Sequence, residues 1–476
     1  MNIKRYAAAI LAVGMVLGTA SCGSDSSKTD SNKSSSKAED FSATENVKVS
    51  DAESIEAIPE GSEKEILYLG ETDINPTKSA PEKSTELKLF ESKGGKVKFI
   101  QTNNEDRFDN LAAAVMAEKN SPDIFKYEWL AFPHQAVKGL YQPIDDIVDF
   151  SNDMWSDAKK TADQFVLEGK HYVAPLGYQA SAMLCYDKDL INAEGLEDPY
   201  ELYENGEWTW DAWEDIMSDF VKKAPSDTER YGVNGYFSIH IIQQTGKTFV
   251  SYDSDKNEFV SNLNDPDITN GQNFLYDLKK KGLILDGWIG SARECFQQNC
   301  LFYAMGNWAY SDSNSPKKNE QWGVVPIPAY DKNPQKITTS DMLAYMWVKG
   351  STKNDAIKCW FECCRAAYTD PEYTQANKDR FMENNPNWTD EMYGVKTDVV
   401  SDDYLMIFDS AFGVSSNMGD KKTFDGNQCL VDALYGASTA LDEDGNQQTW
   451  TQVREKYTGT VDTELKELNK KLKSLS

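Results

Sequence analysis

The stretch HYVAPLGYQASAMLCYDKDLINAEGL, residues 171–196, decides how the chain is divided. Its first apolar run, Tyr172 to Leu176, reads as a strand, and its second, Ser181 to Tyr186, reads as another. Tyr178 and Gln179 stand between them. Pro175 lacks a backbone donor and disfavours a central place in a sheet, and Gly177 frees the backbone beside it. Asp187, Lys188 and Asp189 open a turn and a short helix. A crossing between two lobes, with polar groups exposed at the crossing, fits this composition. An ordinary strand pair with an irregular joint fits it as well.

Upstream, EILYL (65–69) reads as a strand leading into Gly70, Glu71, Thr72 and Asp73, and VKFIQ (97–101) as a strand leading into Asn103 and Asn104. The helix expected next carries Phe108, Leu111, Ala112, Val115 and Met116 on one face. SPDIFKYEW (121–129) gives a short strand ending at Tyr127. Alternating strand and helix predict a parallel α/β sheet, in which ligands sit beyond the strand C-termini. Thr72, Asp73, Asn103, Tyr127, Glu128 and Trp129 all fall there.

Downstream, Thr209 caps a helix with Trp210, Trp213, Ile216, Met217, Phe220 and Val221 on one face, which assigns both tryptophans to the core. YGVNGY (231–236) reads as a strand ending in Tyr236 and Phe237. Helices are expected after Asp265 and Pro266, from Asn354, and at the C-terminus through Leu465, Leu468, Leu472 and Leu475.

At 476 residues the chain exceeds one ordinary core, so two lobes are expected. Its formal charge of -28 argues against nucleic acid and anionic membranes as partners. Lys4 and Arg5 precede an apolar run, Tyr6 to Gly18, that is too short for a stable span and reads as a signal segment. Thr19-Ala20-Ser21-Cys22-Gly23 then looks like a bacterial lipobox with Cys22 as the lipidated residue; relatives prefer Leu at the position of Thr19. A plain secretory signal with a chance cysteine is the alternative. The Ser-, Lys- and acid-rich stretch from Gly23 to about Ser62 has no hydrophobic period and reads as a disordered tether. About 40 residues of flexible coil span roughly 35 Å.

Residues 171–196 resemble the segment of sugar-type extracellular solute-binding proteins that reads roughly Y-x-x-P…YNKDLF…aGL. Three further stretches fit in order: EWTWDAWEDIM (207–217), FQQNCLFYAMGNW (296–308) with WGVVPIPAYD (322–331), and SDMLAYMWVKGSTKNDAIKCWFE (340–362). The likeness runs over nearly all of Glu65 to Leu472, and the maltodextrin-binding proteins are the familiar members. It implies an α/β, type II periplasmic-binding-protein fold, two discontinuous lobes joined by a hinge of about three crossings. The implied division is signal peptide 1–21, tether 22–61, lobe one 62–178 with 342–400, and lobe two 179–341 with 401–476.

The resemblance also singles out ligand-binding residues. Tyr127 ends the P-D-x-x strand, where relatives stack on or border the sugar, with Glu128 and Trp129 beside it. Gln179, next to Tyr178, stands where the maltodextrin pattern carries a glutamate. Tyr236 and Phe237 match an aromatic pair, Trp308 the tryptophan of a G-x-W motif, and Thr72 and Asp73 the first-strand loop. Asp341 lies in the last stretch. Before Trp308 this chain has Asn299-Cys300 where relatives tend to carry Gly-Lys.

Other chemistry finds no support. The chain has no G-x-S-x-G, H-E-x-x-H or Walker loop. With 77 acidic residues, candidate glycosidase pairs are everywhere and signify nothing. DEDGNQ (442–447) lacks the terminal glutamate of a calcium loop at the required spacing. Removing Cys22 from eight cysteines leaves seven, an odd number, so at least one is unpaired within a monomer; Cys295 and Cys300 are close enough in sequence to bridge. His134, His171 and His240 are too scattered for a zinc site. No metal, cofactor or catalytic residue is expected.

Aromatic residues are the better signal, with 12 Trp and 23 Tyr. An indole or phenol covers the C–H face of a sugar ring while carboxylates and amides bond its hydroxyl rim. Covering about 50 Å² of ring face contributes roughly 1.3 kcal/mol per platform. The expectation is therefore a monomeric, lipid-anchored, non-enzymatic receptor on the extracellular face of a bacterial membrane. It would capture a carbohydrate, an oligosaccharide by preference, and deliver it to the membrane permease of an ABC importer. The rival readings are a surface glycosidase or lyase, a surface lectin without a transporter, and the same fold with a peptide, polyol or anion as ligand.

Overall fold

The long strand Ile337–Val348 is the spine of the molecule in its computed structural model, which describes residues 54–78, 83–117, 121–316, 321–333, 335–420 and 428–474. The signal segment, Cys22 and most of the expected tether lie outside the described residues. In chain order the strands are β1 (Glu65–Gly70), β2 (Lys96–Gln101), β3 (Ile124–Lys126), β4 (Tyr141–Gln142), the hairpin β5 (Val166–Leu167) and β6 (Lys170–His171), β7 (Ala174–Ala180) and β8 (Met183–Asp187). They continue with β9 (Tyr231–Gly235), the hairpin β10 (Val250–Asp253) and β11 (Glu258–Ser261), β12 (Cys300–Met305), β13 (Trp322–Val325), β14 (Ile337–Val348) and β15 (Leu405–Ile407).

Sheet one runs β15-β14-β3-β1-β2, with β4 and β7 also paired to β14. β1 is parallel to both β2 and β3, as the strand–helix alternation predicts. Sheet two runs β13-β8-β12-β9. The chain leaves sheet one after β7 and enters sheet two at β8, and it returns from β13 to β14. This is the discontinuous, two-lobed arrangement.

The crossing differs in detail from the sequence expectation. β7 does not break at Tyr178 and Gln179; it runs through both to Ala180, and Ser181-Ala182 carries the chain across. Pairing with β14 holds Tyr178 and Gln179 in register, and the Ser181 amide donates to Thr339 O at 2.9 Å. The irregularity falls earlier. Gly177 pairs with Leu343 and Pro175 with Ala344, which leaves Leu176 as an extra residue beside the proline that has no N–H to give.

Local signals explain the helices of lobe two. The Thr209 hydroxyl accepts the Ala212 amide at 3.4 Å and starts the helix Trp210–Lys222, whose Trp210, Trp213, Ile216, Met217 and Phe220 are all buried. Trp213 is fully enclosed and meets Phe237 and Phe302 edge-on at 6.1 and 6.2 Å. Asp265 caps the helix Pro266–Lys280, and a Thr449–Gln452 capping box opens the helix Trp450–Leu472.

Two expected boundaries shift for reasons of burial. Ile55 and Ile58 are buried, and the Ile58 amide donates to Lys93 O at 3.0 Å, so folding begins inside the stretch read as tether. Trp388, Met392, Val395 and Val399 pack with Cys185, Trp322 and Val324 of sheet two. The Trp388 ring lies near-parallel to Tyr310 at 5.8 Å and meets Trp322 edge-on at 5.7 Å. Trp388 to Val399 therefore pack against sheet two, whereas the division implied above counts them in lobe one. All seven described cysteines are free and buried, Cys295 and Cys300 among them. Among the described residues, no helix is long and apolar enough to cross a membrane.

Candidate functional site

The site is built on the strand pair β7–β14 where it leaves sheet one. Gln179 is the register partner of Asp341, and Tyr178 that of Met342. Side chains alternate along a strand, so Gln179 and Asp341 share one face and Tyr178 takes the other. Ser340 Oγ fixes the local backbone, donating to Gln179 O at 3.1 Å.

Asp341 is half-buried, and burial pushes its carboxyl up to about 6. The Ser181 hydroxyl and the Lys126 ammonium draw it back down. Lys126, at the end of β3, is itself lowered by burial and held up by Asp341 and Glu71. Tyr127 follows; its amide donates to Ala344 O at 2.9 Å, and its ring, 8% exposed, stands edge-on to Phe165 at 5.1 Å. Its hydroxyl is hardened against ionisation by burial first, then by Glu128 and Asp341. Trp129 leans on Phe412 at 4.7 Å. Tyr127, Trp129 and Phe412 line a small cavity with Gln243, Thr339, Ser340 and Asp409.

Lobe two supplies Tyr236 and Trp308. Tyr236 follows β9, with its amide on Ala304 O at 2.7 Å and its ring edge-on to His240 at 5.5 Å. Burial raises its hydroxyl's pKa, and Asp432, Cys429 and Asp341 add to the shift, which places Tyr236 within electrostatic reach of Asp341. Trp308 lies just past β12 on a short 3-10 turn and is exposed. Gly306 makes room for it: a Cβ there would stand 2.9 Å from the indole and 3.3 Å from Ser181 O. Trp308 and Ser181 thus flank the same glycine at the crossing.

The structure gathers Asp341, Gln179, Tyr127, Tyr236 and Trp308 around the crossing, with Trp129 beside them. It does not gather the rest. Phe237 is 4% exposed and turned into the core of lobe two against Trp213. Tyr178 lies on the far face among Thr161, Arg365, Asp157 and Asp402, its phenol pushed up to about 12 by burial. Glu128 is taken by Arg107, which bonds it at 2.8 Å through Nη2 and again through Nε. Asp73 closes a local turn, accepting the Asn75 amide at 2.9 Å and its side chain at 2.8 Å, and Thr72 is exposed next to it. Sequence reasoning missed Lys126, Ser181, Phe412 and Trp288. Only Trp288 carried a signal, as a tryptophan between Gly287 and Gly290 in a stretch without apolar period. Among the described residues, no group of three or more His, Cys, Asp or Glu is placed to hold a metal ion.

Asp341, Gln179 and Lys126 thus bring a carboxylate, an amide and an ammonium to the crossing, and Trp308 presents an open aromatic face on lobe two. Solved structures share the fold. An ABC substrate-binding protein from Listeria monocytogenes in complex with cycloalternan is 17% identical, with 83% of this chain and 100% of that one covered and a TM-score of 0.51. A cyclo/maltodextrin-binding protein complexed with maltotetraose is 15% identical over 85% of this chain and 98% of that one, TM-score 0.57. The galacto-N-biose/lacto-N-biose I-binding protein of a Bifidobacterium longum ABC transporter, in complex with lacto-N-biose, is 13% identical over 86% and 99%, TM-score 0.57. No curated protein sequence matches the chain. The family and these structural relatives are binding proteins, and the two-lobed fold is the type II periplasmic one. Residues 74–367 match the family model of the bacterial extracellular solute-binding proteins, and with well over half its length so matched, the chain belongs to that family.

Proposed function

We propose that the chain is the receptor of an ABC importer that captures a carbohydrate, an oligosaccharide by preference, between its lobes and hands it to the membrane permease. The observation that carries this reading is an open indole, Trp308, just past β12 on lobe two, together with the cross-strand pair Asp341 and Gln179 where β7 and β14 leave sheet one. A sugar needs an apolar face for its C–H groups and acceptors for its hydroxyls, and this cleft offers both. Cycloalternan, maltotetraose and lacto-N-biose in the structural relatives support the same class of ligand. Two or three platforms with hydrogen bonds reach micromolar affinity, about -8 kcal/mol. The work is binding coupled to lobe closure, since a ligand favours whichever state it contacts better. No reaction is assigned to any residue.

The receptor acts as a monomer held on the extracellular face of the cell membrane by lipid on Cys22, with lobe one near 62–178 with 342–400 and lobe two near 179–341 with 401–476 as its gripping bodies. The positive n-region, the small residues before Cys22 and the Ser-rich stretch after it support the anchor. Replacing Cys22 with Ser should release the protein from membranes, and a variant still acylated and membrane-bound would refute the anchor. A calorimetric titration of the purified chain against mono- to tetrasaccharides tests the ligand class. Saturable binding of at least one oligosaccharide is expected; heats from none of them, with binding of a peptide or an anion instead, would refute it.

A further inference from the structure

Trp288 and Trp308 are 44% and 42% exposed, and their rings lie near-parallel, 24° apart with centroids separated by 6.5 Å. Both are held from behind. The Asn234 amide donates to Leu285 O at 2.7 Å and to Gly287 O at 2.9 Å, and Tyr303 Oη donates to Ile289 O at 2.5 Å, so the loop bearing Trp288 is pinned on either side of it. Gly287 takes a φ of +93°, a conformation that ordinary residues rarely adopt, to present the ring. Trp308 is fixed by the Asn314 amide on its carbonyl at 3.0 Å. Asn234 and Tyr303 are buried groups of sheet two, so a rigid part of the core supports the pair.

Two large apolar rings held rigid in water call for a ligand to cover them. The pair lies beside the crossing, because the Trp308 indole and Ser181 O flank the same residue, Gly306, and Ser181 follows β7 two residues after Gln179. It is too small for a protein partner, since two indoles offer a fraction of the roughly 800 Å² that each side of a stable protein interface buries. We infer that Trp288 is a second sugar-stacking residue, which with Trp308 makes an extended subsite for the ring next to the one held at Asp341. The inference rests on the carbohydrate reading and adds to it a requirement for length: the ligand is longer than one sugar unit, and its affinity is gained in part outside the crossing.

The test is a calorimetric series on wild type, Trp288→Ala, Trp288→Phe and Trp308→Ala, each checked by thermal melt, with the tightest oligosaccharide of the panel and the shorter saccharides of the same linkage. Trp288→Ala should bind the longest ligand at least tenfold more weakly than wild type, and the shortest bound saccharide within twofold of it. Trp288→Phe should recover most of the loss. Wild-type affinity in Trp288→Ala, with Trp308→Ala impaired, would overturn the role of Trp288 and leave the carbohydrate reading standing. An equal loss for short and long ligands would also overturn it, because Trp288 would then act on the first ring. Failure of wild type to bind any saccharide would overturn both.

Discussion

Gln179 on β7 and Asp341 on β14 face each other across the strand pair that joins the two sheets, and their side chains share one face of it. An amide and a carboxylate so placed can bond neighbouring hydroxyls of one ligand from a rigid base. Asp341→Asn should weaken oligosaccharide binding by roughly 1.5–3 kcal/mol, the usual worth of a hydrogen bond to a charged group. Burial disfavours the ionised form of Asp341 in the folded chain, so the same variant should melt no lower than wild type at pH 7. Calorimetry and a melt on one sample check both.

The raised carboxyl of Asp341 also sets a pH dependence. Burial holds it up at about 6, with Ser181 and Lys126 drawing it down and Tyr127 and Tyr236 within electrostatic reach. Hydroxyl donors from a ligand favour the ionised form and lower that value. Affinity should therefore be level above about pH 6 and fall as the pH drops below it. Titrations at pH 7.5, 6.5, 5.5 and 5.0 should show a several-fold loss in wild type and a flat profile in Asp341→Asn; a flat wild-type profile would remove Asp341 from the contact.

Trp213 and Trp308 separate core from platform. Trp213 is fully buried, so Trp213→Ala should cost about 3–5 kcal/mol of stability through the cavity it leaves, with ligand affinity retained in whatever fraction stays folded. Trp308 is open to water, so Trp308→Ala should cost about 1–3 kcal/mol of binding and little stability. Denaturant melts and calorimetry on both variants compare the two; an early melt with normal binding in Trp308→Ala would make Trp308 a core residue.

His240 predicts an acid weakness. Its ring is 1% exposed, neither ring nitrogen has a hydrogen-bond partner among the described residues, and burial lowers its pKa to about 3. The unfolded chain takes up that proton near pH 6.5 while the folded chain stays neutral. The stabilising difference is complete above about pH 6.5 and is lost as the pH falls toward 3, at about 1.4 kcal/mol per unit. Urea unfolding at pH 7 and pH 5 should show a larger drop for wild type than for His240→Phe, and equal drops would place the histidine's proton elsewhere.

Most of the fold was legible because its signals are local. EILYL and VKFIQ became β1 and β2 within a residue, and Thr209 and Asp265 cap helices as their types demand. Where partners distant in sequence decide the outcome, the reading failed. Gln179 looked like a loop residue because the strand that holds it, β14, lies about 160 residues away, and Trp388 looked like lobe one until Trp322 and Tyr310 claimed its ring. Phe237 shows the limit for the site: adjacent aromatics point to opposite sides, and nothing in a Tyr-Phe pair says which one meets the core. Lys126 and Ser181 had no pattern at all, since their importance comes from standing beside Asp341.

The structure of the chain with the tightest oligosaccharide bound tests the central claim most directly. A sugar ring should lie with its C–H face on Trp308 and a hydroxyl within hydrogen-bond distance, roughly 2.5–3.0 Å, of an Asp341 carboxylate oxygen. An oligosaccharide seated away from the β7–β14 crossing, with Asp341 and Trp308 both untouched, would contradict it.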